Sequence, residues 1–216
     1  MLNKLFLTTS LIFAAVGFAS TGYGQCQTSG QPRWGHGPMQ QMYLVQNLFQ
    51  AVDFLVTAQA APANSYTSRG NMRRAYYKIA YVKMTLESSG CYEGLQALQV
   101  AIEKLNDQYL SARERIAEAL KCLSIGAPQV IKSLVPAFRA TNMLIRLALK
   151  YNEPCLFEEV VNVLRVAQQT AGQVGRAVEP IGVAIQKATD PYLSGREKYA
   201  FVVDCLNVAR QQLRRW

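Results

Sequence analysis

The chain has 216 residues, half of them hydrophobic and 17% charged. That composition excludes a disordered chain and allows one large domain or two small ones, with roughly 70% of the unfolded surface buried on folding. The formal charge of +9 favours anionic partners, namely phospholipid headgroups, acidic glycans, nucleic acid or acidic protein, and selects no fold.

In chain order, the first element is a targeting segment. Lys4 supplies a positive start, Leu5 to Phe18 is an apolar run, and small residues come next in "ASTGYGQ". This is the pattern of a secretory signal peptide over 1–25, with a cut after Ala19, Gly22, Gly24 or Gln25. An uncleaved anchor is the alternative, but the run is short of the roughly 20 residues a span needs. The expected location is therefore the periplasm, cell envelope or extracellular space. Residues 26–38, rich in Gly, Pro and Gln, read as a flexible leader.

From Met39 the apolar spacing is helical. Val45, Leu48, Phe49, Val52, Leu55 and Val56 mark one helix, and "AAPANSYTS" interrupts. Met72, Ala75, Tyr76, Ile79, Val82 and Leu86 mark a second, ending near Gly90. A third is expected from about Tyr92 to Leu105 and a fourth from about Tyr109 to Leu123, before "SIGAP". A fifth holds Ile131, Leu134, Val135, Phe138, Ile145 and Leu149, with Pro136 either kinking it or marking its start. A sixth begins after Pro154, Pro180 interrupts the apolar stretch beyond it, and the last carries Tyr199, Val202, Leu206, Ala209 and Leu213. No alternating strand occurs. The expected fold is an all-α helical bundle of about seven to eight helices.

The chain also repeats itself. "VAIEKLNDQYLSARERIAEALKCL" from Val100 and "VAIQKATDPYLSGREKYAFVVDCL" from Val183 share 13 of 24 positions without a gap. This implies a tandem duplicated unit of about 83 residues, with unit 1 over 39–124 and unit 2 over 127–216. That period exceeds the common solenoid repeats and points to packed bundles. The shared letters encode helix starts. Asp107 and Asp190 suit an N-cap, with Pro191 at the first helical position. Ser111 with Glu114, and Ser194 with Glu197, match the capping box. A core stripe is expected to run on Tyr109, Ala112, Ile116, Ala119 and Leu123, and on Tyr192, Gly195, Tyr199, Val202 and Leu206. The functional alternative is a pair of equivalent anion-reading sites, Tyr109/Arg113 and Tyr192/Arg196.

All five cysteines come after the signal. Export makes disulfides the default. Cys91 and Cys122 lie symmetrically about the Asn106–Asp107 turn, so a helical hairpin would bring them together. Cys155 and Cys205 are equidistant from Pro180 and pair only if the chain reverses there. Cys26 is left over as a thiol, an intermolecular bond or a lipid attachment point.

Motifs of chemistry are sparse. His36 is the only histidine, and it sits in the leader, so a rigid nucleophile–base pair has no base. No CxxC, Walker loop or GxGxxG is present, and no cofactor or metal is expected. Glu158 and Glu159 point in different directions on a helix, which suits a solvated face better than acid–base work. The binding candidate is "RRAYYKIAYVK": Arg73, Arg74, Tyr77, Lys78, Tyr81 and Lys83, basic groups among aromatic faces. "ARQQLRRW" is a second basic end. The expected function is an exported, non-catalytic binding or scaffold protein of a bacterial envelope, contacting protein or an anionic envelope component. The alternatives are a peripheral membrane-surface protein, lipidated or not at Cys26, and last an envelope hydrolase. Export argues against nucleic acid as partner.

Overall fold

The computed structural model describes residues 37–151 and 153–214. The expected signal peptide, Cys26, His36 and nearly all of the leader lie outside them. Among the described residues there are eight helices and no strand: α1 (Pro38–Ala60), α2 (Tyr66–Ser88), α3 (Leu95–Asn106), α4 (Ala112–Leu134), α5 (Ala137–Tyr151), α6 (Phe157–Val174), α7 (Val178–Thr189) and α8 (Gly195–Arg214). The all-α expectation holds. None of these helices is long and apolar enough to cross a membrane.

The helix ends obey local chemistry. Pro38 opens α1, where a missing N–H is harmless. Ser65 caps α2 by accepting from Ser68 N at 3.1 Å. Ser111 caps α4 through a full capping box: Glu114 N donates to Ser111 Oγ at 3.3 Å and Ser111 N donates to Glu114 Oε2 at 2.8 Å. Ser194 and Glu197 reproduce both bonds at the same distances. The serine side chain, and next its backbone N–H, holds the Glu114 and Glu197 carboxyls below their usual range. Asp107 and Asp190 are not N-caps. Each instead comes directly after the preceding helix and accepts, at 2.9 Å, from the N–H two residues on, that of Tyr109 or Tyr192.

Each helix packs beside its chain neighbour, and α1 also meets α4 while α5 meets α8. The helices thus form two rings of four, α1–α4 and α5–α8. Contacts of α4 with α6 and of α1 with α5 join the rings. The buried apolar side chains, among them Leu48, Leu55, Ile79, Leu120 and Leu144, form one continuous cluster. Helices α1 and α5 run parallel, since Phe49 lies under Arg146 and Asp53 bonds Lys150 further along both. Likewise α4 and α6 run parallel: Ser124 faces Asn162 and Lys132 faces Gln169. Gly195 lies against Pro154. The connections α1–α2, α3–α4, α5–α6 and α7–α8 therefore gather at one end of the molecule.

Three further expectations are corrected. First, α4 does not stop at Leu123. "SIGAP" is helical, and Ser124, Gly126, Ala127 and Pro128 are buried. The proline removes one backbone bond, but the helix gains a close packing surface on α3. A side chain at Gly126 would meet Ala97 Cβ at 2.9 Å. Pro136 marks the start of α5 rather than a kink.

Second, no disulfide joins Cys91, Cys122, Cys155 or Cys205. Cys91 lies 3.7 Å from Ser133 Oγ. Ser133 is eleven residues, about 16 Å of helix, beyond Cys122. Cys155 lies in the turn next to the start of α8, ten residues or about 15 Å short of Cys205. These separations far exceed the reach of a disulfide. Burial raises the Cys122 and Cys205 thiols, keeping them protonated and weakly nucleophilic.

Third, the core stripe of the repeat begins later than its letters suggest, at Ala112 in the first stretch and only at Val202 in the second. Ala112, Ile116, Ala119 and Leu123 are buried, as are Val202 and Leu206. Tyr109 is 100% exposed and Tyr192 93%, and Tyr199 is also exposed.

Candidate functional site

Charge in this fold is concentrated on one layer. Helix α1 carries a single charged residue, Asp53. It lies between α2 and α5. Together the three helices hold eight basic residues: Arg69, Arg73, Arg74, Lys78, Lys83, Arg139, Arg146 and Lys150. Against these stand two acids, Asp53 and Glu87, and both are already paired, with Lys150 and Lys83 respectively. The layer thus carries +6 of the chain's +9.

The predicted binding stretch forms one flank of this layer. Arg73, Arg74, Tyr77 and Tyr81 are exposed, and Lys78 and Lys83 half-buried. Their side chains are braced. Arg73 stacks over Tyr77 and hydrogen-bonds its hydroxyl at 3.3 Å. Arg74 covers the Phe54 ring on α1. Lys78 donates to Asn47 Oδ1 at 2.8 Å. Tyr81 meets Tyr43 edge to face, with centroids 5.8 Å apart. None of these contacts neutralises an arginine, so the charges stay available while their positions are fixed.

Sequence reasoning missed the other flank. Met39, Met42, Tyr43, Gln46, Phe49 and Asp53 of α1 face Met143, Arg146 and Lys150 of α5 across a groove of about 770 Å³. Met39 is 88% exposed, and Met42 and Tyr43 are exposed beside it. Arg146 and Lys150 each sit 5.8 Å from the Phe49 ring centroid. The signal in the sequence was the absence of any acid between Ala137 and Tyr151.

The repeat-equivalent residues occupy the turn-bearing end. Tyr109 and Tyr192 project into solvent, with Arg113 and Arg196 exposed in the first turns of α4 and α8. Tyr66, at the tip of the first hairpin, is 88% exposed. The local frame repeats too. Lys104 lies by Cys122 and Lys187 by Cys205, at the same 83-residue offset.

A polar cluster lies inside the bundle, next to the connection between α5 and α6. Tyr151 is fully buried and donates to Leu120 O at 3.3 Å. Burial, then the nearby Glu159 and Cys122, pushes its hydroxyl well above its usual value. Glu159 itself is buried, and burial raises its carboxyl, with Glu158 and Glu118 adding to the effect. The folded state therefore holds the Glu159 proton more tightly than the unfolded chain. Stability from this group is present at low pH and lost as pH rises through the interval between the usual and the raised value. Glu159→Gln is expected to unfold at higher urea concentration than the parent at pH 7 and to flatten the pH dependence above the usual carboxylate range. An equal midpoint at pH 7 would refute this.

Among the described residues no group of three or more His, Cys, Asp or Glu side chains is placed to hold a metal ion. Comparison with protein-family models, with curated proteins and with solved structures finds no match to this chain.

Proposed function

We propose that the protein is an exported, non-catalytic envelope protein that docks on anionic membrane surfaces through the α2–α1–α5 layer. The carrying observation is the pairing of an acid-poor basic layer with exposed Met39, Met42 and Tyr43 on its central helix. Apolar insertion and attraction to anionic headgroups together are what bind interfacial helices. Export rests on the signal pattern of Met1 to Gln25. The two rings read as copies of one ancestral four-helix unit, supported by the 83-residue offset of α3 to α7 and of the two capping boxes.

Flotation with vesicles rich in phosphatidylglycerol tests this reading. The protein is expected to float with them, to ignore phosphatidylcholine vesicles, and to be released as the screening length shrinks from about 10 Å at 0.1 M salt to about 3 Å at 1 M. Equal binding to both vesicles, or to neither, would sink it.

A second reading is a protein-contacting scaffold, supported by exposed Tyr66, Tyr109 and Tyr192 sharing one end. Tyr and Arg are enriched at protein interfaces. A photo-crosslinking residue in place of Tyr109 is expected to capture one partner in the native cell, while a crosslinker at Gln129 does not. The double variant Tyr109→Ala/Tyr192→Ala should melt within about 0.5 kcal/mol of the parent.

A further inference from the structure

The groove between α1 and α5 has a chemistry narrower than the layer around it. Its walls are apolar at Met39, Met42, Phe49 and Met143. Unbranched methionines adapt to a flexible chain better than branched residues do. Its volume, about 770 Å³, falls within the range of sites that hold one small molecule, about 300–1,000 Å³. The cations at its rim differ. Lys150 is bonded to Asp53, whereas Arg146 is exposed and makes no ion pair among the described residues. The guanidinium lies over Phe49, at the wall of the apolar trough. A long hydrophobic lining with one uncompensated arginine fits a ligand with one tail and one anionic head.

We propose that this groove binds a monomeric anionic amphiphile, with a single acyl chain along Met39, Met42, Phe49 and Met143 and a carboxylate or phosphate on Arg146. The proposal rests on the anionic-surface reading, because the same layer would deliver such a molecule from the membrane. It adds a site with a stoichiometry of one. A polyanion would have no use for the methionines, and a neutral lipid would leave Arg146 unmatched. The bidentate geometry of arginine suits either head.

Calorimetric titration of the full chain with laurate and with dodecyl phosphate, both below their micelle concentrations, and with 1-dodecanol tests the site. One molecule of either anion is expected per chain, bound at least tenfold tighter than the alcohol. The two anions compare the possible heads. Arg146→Gln should weaken the anions by about tenfold or more, the scale of a charged hydrogen bond, and leave the alcohol unchanged. Met143→Asn should weaken all three ligands by a similar factor, through lost apolar burial, yet still float with anionic vesicles. The proposal is overturned if neither anion saturates, if 1-dodecanol binds as tightly as the anions, or if both variants bind like the parent. Vesicle binding that persists in those cases would leave the surface reading standing without the groove.

Discussion

Gly94→Ala is expected to lower the melting temperature by about 4–20 °C, the equivalent of roughly 2–5 kcal/mol in a chain of this size. Two effects add. Gly94 has φ +76°, where a Cβ costs about 1–2 kcal/mol. That Cβ would also stand 2.6 Å from Gly126 O and 2.9 Å from Val130 Cγ2. The valine can turn, but the carbonyl belongs to the middle of α4, and displacing it costs about 1–3 kcal/mol by overpacking. The second ring supplies the control. Ala177 occupies the position 83 residues on, at φ +60°, and Ala209 replaces Gly126. Alanine is tolerated there because its methyl is buried and its N–H is held by Gln212 Oε1 at 3.1 Å. Ala177→Gly should therefore move stability by no more than about 1 kcal/mol, strain relief being offset by a lost methyl and added chain entropy. Thermal melting monitored by circular dichroism reads both. A Gly94→Ala shift below about 2 °C would mean that α3 and α4 are not locked at this point.

The same contact explains where local sequence rules succeed and fail. The capping boxes at Ser111 and Ser194 were legible because every atom they use lies within four residues. The core periodicity of α1 and α2 was legible for the same reason. "SIGAP" was misread because glycine and proline are local breakers, while the contacts that hold it helical are remote: α3 against Gly126 and Asn162 donating to Ser124 Oγ at 3.2 Å. The cysteine symmetry about the Asn106–Asp107 turn assumed a helical arm from Cys91, but α3 begins only at Leu95, and Cys91 meets Ser133 instead. Tyr109 and Tyr192 precede their caps, so helical spacing did not apply to them. The basic layer was only half legible. The α2 stretch stands out by its letters. Its continuation on α5 emerges only when α1 is known to lie between the two.

Reversing that layer is the most severe test of the proposed function. Arg73→Glu, Arg74→Glu and Arg146→Glu together are expected to cut affinity for anionic vesicles by at least about 100-fold. Each basic side chain near such a surface contributes on the order of 1 kcal/mol. Loss of three is thus about 3 kcal/mol, and every 1.4 kcal/mol is tenfold; reversal adds repulsion to that loss. The fold should tolerate the change. All three side chains are exposed, and their stacking on Tyr77, Phe54 and Phe49 contributes only about 0.5–1 kcal/mol each at such sites. A melting curve beside the binding curve separates unfolding from lost docking. Arg113→Glu with Arg196→Glu provides the control at the turn-bearing end. It changes the net charge by four, against six for the triple variant, yet alters no residue of α1, α2 or α5. If attraction depends on net charge alone, the control should lose about two thirds as much binding free energy. If the layer is the docking face, screening over about 10 Å at 0.1 M salt keeps the turn-bearing end largely out of play, and the control should stay within about threefold of the parent.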